Sequence, residues 1–345
     1  MPPGLKDVAA RAGVSIKTVS NVVNGYVHVA AETRARVQAA IEALGYVPNL
    51  AARQLRGGRS GVIALAVPEL PAPYFAELAG LIVQAAERRR WTVLIDQTDG
   101  RADRERDLLA GLRRHAIDGL IFSPSALTGE EVVGSGGPPA VLLGARAGRG
   151  VADHVAIDDR AAGADATRHL CELGRRRIGV IGVLDDSPRG AAGRHRLAGY
   201  RAALAEVGLS GGPALEAGVG RFGRAEGAAA MARLLDQDRP PDAVFCVNDL
   251  LALGALRTLM ERGLDVPGDV ALIGFDDIED GRFSTPTLST VAPDTPRVAQ
   301  LAVDLLAERL GDGPAVSGPP RELRVEHRLL PRESTVGRAV HSPPP

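Results

Sequence analysis

Arg196, Asn248 and Asp276 are the polar residues of this 345-residue chain whose types and places could do chemistry together. Asn248 follows the apolar run "AVFCV", Asp276 follows "ALIGF", and Arg196 opens the helical pattern "RHRLAGYRAAL". A guanidinium, an amide and a carboxylate converging on one cleft suit a ring of hydroxyls, because each offers donors or acceptors at a fixed angle. Asp249 and Asp277, their neighbours, read as turn or capping residues. A second set lies near the start of the chain: Ile16, Lys17, Thr18 and Asn21. Lys17 can donate to guanine O6 and N7, Asn21 can bridge adenine N6 and N7, and Ile16 can pack on a thymine methyl. Signals for covalent or metal chemistry are missing. There is no P-loop, HExxH or nucleophile elbow, the seven histidines are scattered, and Cys171 and Cys246 match no metal-ligand spacing. "GVGRFG" (218–223) matches a dinucleotide fingerprint, but no strong strand is expected before it. The expectation is no cofactor, no metal and no catalysis.

The elements around the first set of base-reading candidates are short helices. Leu5, Val8, Ala9 and Ala12 repeat at helical spacing, and Gly13 can cap their helix. Ser15 can cap a second helix with Val19, Val22 and Val23 facing inward, and a third runs through Glu32–Leu44. Two short helices around a tight glycine turn form a helix-turn-helix, whose second helix enters the DNA major groove. Charge agrees. Residues 1–60 hold eight Lys and Arg against three acids, whereas the other 285 residues hold 33 against 39. A basic head on an acidic body points to a polyanionic partner for the head alone.

From Gly61 onward, short apolar runs alternate with amphipathic helices such as Tyr74–Arg89 and Glu226–Leu235. The strand candidates are 61–67, 92–97, 118–123, 139–144, 177–182, 242–247 and 269–275. Such alternation means an α/β fold of doubly wound parallel sheets buried on both faces. "HAIDGLIFSPS" and "RPPDAVFCVND" are analogous strand entries, which points to two similar lobes with a cleft beyond the strands' carboxyl ends.

"LKDVAARAGVSIKTVSNVVNG" followed by "TRARVQAAIEALGYVPNLAARQLR" resembles the head of a bacterial transcription regulator of the lactose-repressor/galactose-repressor (LacI/GalR) family. The resemblance covers essentially the whole chain. It implies an all-α helix-turn-helix head (1–48), a hinge helix and linker (49–60), and a two-lobed periplasmic-binding-protein-like body (61–340). The first lobe would comprise 61–160 and 291–321 and the second 161–290 and 322–340, with crossings near 160, 290 and 322. Residues 341–345 read as a disordered tail. By resemblance, Ile16, Lys17 and Asn21 vary with operator sequence, while Thr18, Ser20 and His28 make phosphate or positional contacts. Leu55 would wedge the minor groove, with Ala52 and Arg53 beside it. Arg196, Asn248 and Asp276 match effector contacts, and Tyr74, Phe75 and Phe222 match the pocket lining. Asp158 is a further candidate. One departure is Ala30, where a capping Ser often precedes the third helix.

The expected protein is a cytoplasmic homodimer that represses a carbohydrate-utilisation operon, binds double-stranded operator DNA and responds to a sugar-like effector. No apolar run approaches membrane-spanning length, so no membrane partner is expected. The rivals are a solute-binding protein of a transporter, an α/β enzyme with a DNA-binding appendage, and the same regulator class with a purine-type corepressor.

Overall fold

The computed structural model describes residues 3–23, 26, 28–46, 59–112, 117–145, 150–183, 190–311 and 318–338. Two compact units emerge, Met1–Ser60 and Gly61–Pro345. The hinge positions Ala52, Arg53 and Leu55 and the 341–345 tail lie outside the described residues.

In the first unit, α1 (Leu5–Ala12), α2 (Ile16–Val23) and α3 (Ala31–Leu44) pack around Val8, Val19, Val22, Val37 and Ala40. Gly13 ends α1 at φ 63, a left-handed value that glycine adopts without steric cost. The chain therefore turns sharply enough for α2 to cross α1. The Ser15 hydroxyl accepts the Thr18 N–H at 3.1 Å, capping α2. Ala30 makes no side-chain cap to α3, an omission worth about 1 kcal/mol.

In the second unit the chain runs β1 (Val62–Val67), α4 (Pro73–Glu87), β2 (Thr92–Gln97), α5 (Ala102–Leu112), β3 (Gly119–Phe122), α6 (Gly129–Gly134), β4 (Ala140–Leu143) and β5 (Asp153–Ile157). It continues with α7 (Asp159–Glu172), β6 (Ile178–Val183), α8 (Ala191–Glu206), β7 (Glu216–Gly218), α9 (Arg224–Leu235) and β8 (Ala243–Cys246). Next come α10 (Asp249–Glu261), β9 (Ala271–Phe275), α11 (Glu279–Arg282), β10 (Ser289–Pro293), α12 (Thr295–Leu310), β11 (Glu322–Val325), β12 (His327–Leu330) and α13 (Glu333–Val336). The first sheet is parallel throughout, in the order β11-β5-β4-β3-β1-β2. The second, β12-β10-β9-β8-β6-β7, is parallel except for antiparallel β10–β12. Helices cover both faces of the first sheet. Ile63 and Leu65 pack with Leu78, Ile82 and Val303, while Phe122 packs with Leu109 on the other side. Phe245 and Tyr200 anchor the core of the second.

All seven expected strands form, within two residues of the expected ends. Five more, β5, β7, β10, β11 and β12, are short or carry polar side chains and gave no apolar run. The expected crossings need correction. β10 ends at Pro293 in the second sheet, and β11 pairs with β5 in the first. The second and third crossings therefore fall at Asp294 and Glu326, and residues 322–325 belong to the first lobe, not the second. The four-residue displacement arises because β10 and β11 extend right up to the crossings.

Asp153 on β5 is buried, and its carboxylate takes the Arg309 guanidinium through two bonds, at 2.8 and 2.9 Å. Burial pushes its pKa up, but the Arg309 and Arg321 bonds outweigh this and hold it below the ordinary value. Asp153→Ala strands the Arg309 charge and should cost about 3–5 kcal/mol in urea unfolding near pH 7. Because the pKa is depressed, that contribution exists above the unfolded value near 4 and fades as pH falls through the folded one. A loss that persists undiminished at pH 3 would show that packing, not charge, is responsible.

Candidate functional site: a cavity between two lobes

A cavity of about 380 Å³ lies beyond the carboxyl ends of strands from both sheets. The second lobe supplies its charged wall. Arg196 sits in the second turn of α8, only 12% exposed. Its Nε donates to Asp159 at 2.8 Å, one Nη donates to the Val247 carbonyl at 2.6 Å, and Asp276 stands 3.8 Å away. Its guanidinium carbon lies 3.4 Å from the Phe275 ring centroid, a cation–π stack. Helix packing brings these groups together. A Cβ at Gly163 on α7 would stand 2.3 Å from the Arg196 carbonyl, and one at Gly199 on α8 would stand 2.0 Å from that of Arg160. The two helices touch backbone to backbone, which sets the Arg196–Asp159 distance.

Asp276 lines the cavity from a backbone at φ 108. Burial pushes its carboxyl up; Arg196 opposes this and Asp159 adds to it, leaving it at about 7. Asn248 lines the cavity too, while its side-chain oxygen caps α10 by accepting the Leu251 N–H at 3.0 Å. Tyr74 and Phe75, edge to face at 5.2 Å, and Phe222 supply apolar wall. Burial and the Asp276 charge raise the Tyr74 pKa, so its hydroxyl stays protonated.

Six of the seven expected residues thus line one cavity. Asp158 does not. It caps α7 through the Ala161 N–H at 3.0 Å and pairs with Arg324 at 2.7 Å, beside the first crossing. Asp159, one residue on, lines the cavity in its place. Asp158 takes the N-cap position of α7, and Asp159, the first residue of the helix, is the one that reaches the cavity. Ser123, Ser125 and Arg221 also line the cavity without having been singled out. Before "GVGRFG" stands only the three-residue strand β7, which ends on its first glycine, and Val219–Phe222 form cavity wall.

In the head unit, α2 buries Val19 and Val22 and turns Ile16 and Lys17 outward, with Thr18, Ser20 and Asn21 half-exposed. The Thr18 hydroxyl lies 2.9 Å from that of Ser15. His28 is exposed and its ring meets Tyr26, an exposed aromatic not singled out beforehand.

Residues 4–49 match the model of bacterial regulatory proteins of the lacI family, and 167–335 match that of the periplasmic binding protein-like domain. The chain is 36% identical to the HTH-type transcriptional repressor PurR of Haemophilus influenzae (strain PittEE), over 89% of this chain and 90% of that one. This chain belongs to the LacI family. Its architecture and its head make it a DNA-binding transcription repressor, within a family of regulators and not enzymes. Two solved LacI-family structures are similar. The transcriptional regulator CelR–cellobiose complex is 32% identical, with TM-score 0.70 over 96% of this chain and 99% of that one. The lac repressor dimer bound to operator and the anti-inducer ONPF is 28% identical, with TM-score 0.83 over 97% and 99%. Among the described residues no helix is long and apolar enough to cross a membrane.

The raised Asp276 pKa has a sign that can be measured. The folded LacI-family body keeps a proton that the unfolded chain gives up between about pH 4 and 7, so this group's contribution to stability falls as pH rises through that window. Asp276→Asn should flatten the decline in ligand-free thermal stability between about pH 4 and 7. A residual slope should remain from Asp249, which burial and Asp276 also push up. An Asn variant with the parental slope would remove Asp276 as its source.

Proposed function

We propose that the protein represses transcription as a homodimer on a pseudopalindromic operator and releases or grips it in response to an uncharged sugar-like effector. The observation that carries the effector class is one wall of paired polar atoms: Arg196 between Asp159 and Asp276, with Asn248 beside them. Such forked groups suit vicinal hydroxyls. Among the described residues, four carboxylates, Glu69, Asp99, Asp159 and Asp276, line the cavity against two guanidinium groups, Arg196 and Arg221, a balance that disfavours an anionic ligand. CelR's complex with cellobiose is in keeping with this reading. A purine-type corepressor is the second reading, favoured by the 36% identity to PurR and by Phe222, Tyr74 and Phe75 in the wall. Thermal-shift titration with cellobiose and glucose against a purine base separates the two. Stabilisation by the sugars and its loss in Arg196→Ala are expected, and a shift with the purine alone overturns the carbohydrate reading.

On the DNA side, Lys17 and Asn21 would read base edges from α2, with Ile16 on a thymine methyl and Thr18, Ser20 and His28 on the backbone. Leu55, flanked by Ala52 and Arg53, would wedge the operator centre. Lys17→Ala should cost about 1–3 kcal/mol on a duplex selected from a random pool, with smaller losses on unrelated DNA. Equal, steeply salt-dependent binding of the parent to every duplex would defeat the operator reading. Effector and operator would be coupled by about 1–3 kcal/mol through the placement of the lobes. A cytoplasmic location follows from that partner.

Dimerisation would cover the apolar surface this chain leaves open. Edge strand β2 exposes Leu94 (49%) and Ile95 (41%), and Phe283 beyond α11 is 79% exposed. An open apolar edge strand is an aggregation hazard unless another chain covers it. Sedimentation should show a dimer for the parent and a shift toward monomer for Leu94→Glu combined with Phe283→Glu. A monomeric parent at micromolar concentration sinks the proposal.

A further inference from the structure

Asn248 and Asp249 are adjacent, yet only Asn248 lines the cavity. Asp249 is 1% exposed, and its carboxylate is turned toward the strand β9–α11 connection. One oxygen accepts the Ile278 N–H at 3.0 Å, and the other accepts the Thr290 hydroxyl at 2.8 Å. The same Thr290 oxygen accepts the Asp277 N–H at 3.3 Å. Gly274 makes room for this arrangement, since a Cβ there would stand 2.0 Å from an Asp249 oxygen. Two of these bonds hold the segment 277–278, just after the residue that faces the cavity, and the third joins their two acceptors.

That segment has an uncommon backbone. Asp276 has φ 108 and Asp277 φ 56, two successive non-glycine residues with positive φ. Side chains with a Cβ rarely adopt such values, and they persist where the surroundings over-determine them. The Asp276 N–H is bonded to the Val291 carbonyl at 2.9 Å, which pins the front of the turn to β10. The Asp277 carboxylate is taken by Arg282 at 2.7 Å and Arg332 at 2.5 Å. In this conformation the turn pairs with β10 and presents the Asp276 carboxylate 3.8 Å from Arg196.

We propose that Asp249 and Thr290 are positioning residues that clamp the Asp276–Asp277 turn in its left-handed form and so aim the Asp276 carboxylate into the cavity. Its consequence for regulation rests on the reading of Asp276 as an effector contact. The clamp itself is a property of the ligand-free protein and is testable without any effector. Neither residue touches the cavity, so the sequence pattern that marks Asp276 as a site residue does not reach them.

The test is a carboxyl-carbon NMR titration of the full-length protein labelled in aspartate, with the Asp276 resonance assigned by its loss in Asp276→Asn. In the parent, burial pushes the Asp276 carboxyl up to about 7, and its resonance should titrate there. Thr290→Val keeps the side-chain shape and removes the bridging hydroxyl. The freed turn should let the carboxylate reach water, and its midpoint should drop by more than about one unit toward the ordinary carboxylate range. Thr290→Ser, which restores the hydroxyl, should return the parental midpoint. A parental midpoint in Thr290→Val overturns the clamp, as does a drop that Thr290→Ser fails to reverse. Crystal structures of Thr290→Val and Asp249→Asn give a second measurement, with relaxation to negative φ at 276 and 277 expected in at least one of them and unchanged angles in both counting against the proposal. If the turn relaxes but the affinity for cellobiose or the purine base, whichever the parent binds, is unchanged, Asp276 is not an effector contact and the clamp stands.

Discussion

A guanidinium removed from water must be answered on every side, and the second lobe is arranged around that requirement at Arg196. Its hydrogens and its face are met by Asp159 on α7, the Val247 carbonyl after β8, Asp276 after β9 and the Phe275 ring. Leaving such a charge without its partner costs about 3–5 kcal/mol, more than a single well-packed methyl group contributes. Four elements are therefore registered against one side chain. The glycines at the α7–α8 crossing serve the same end, because only backbone contact brings Asp159 to 2.8 Å from the guanidinium. A ligand entering here meets donors and acceptors already oriented by the fold, so little ordering remains for binding to supply.

The cavity draws on both lobes, and the lobes are joined covalently at three crossings beside 158, 294 and 326. These crossings are themselves tied. The Asp294 N–H donates to the Glu326 carbonyl, and Asp158 pairs with Arg324. Asp158 thus belongs to the connection between lobes and Asp159 to the ligand wall, one residue apart in the chain. A ligand that draws the walls together acts directly on these strands, which is a physical route from effector to the placement of the lobes.

Much of this was legible beforehand because the signals were local. The spacing of Val8, Ala12, Val19 and Val22 and the glycine at 13 carry the head, and the continuous runs at 62–67, 178–183 and 271–275 carry the sheets. Strands β5, β11 and β12 were not legible. "DHVAI" holds Asp153, whose burial is made tolerable by Arg309 far along the chain, while "ELRV" and "HRLL" are four-residue strands that leave Glu322, Arg324 and Arg328 exposed and so give no apolar run. Asp158 and Asp159 are alike in the sequence for a related reason. Composition cannot distinguish a capping carboxylate from its neighbour until the helix start is known to a single residue.

Periodicity, capping residues and charge asymmetry depend on neighbours within a few positions, so the chain by itself determined a basic three-helix head and an α/β body with polar residues after the strands. It also determined which residue types stood ready for a ligand. Tertiary structure decided which of them meet. The approach of α7 to α8, the buried Asp249 against the 276–278 turn, and the return of β11 to the first sheet all join residues tens to hundreds of positions apart. Contacts at that separation depend on shape and on the need to satisfy buried charge and hydrogen bonds, neither of which leaves a periodic trace in the sequence.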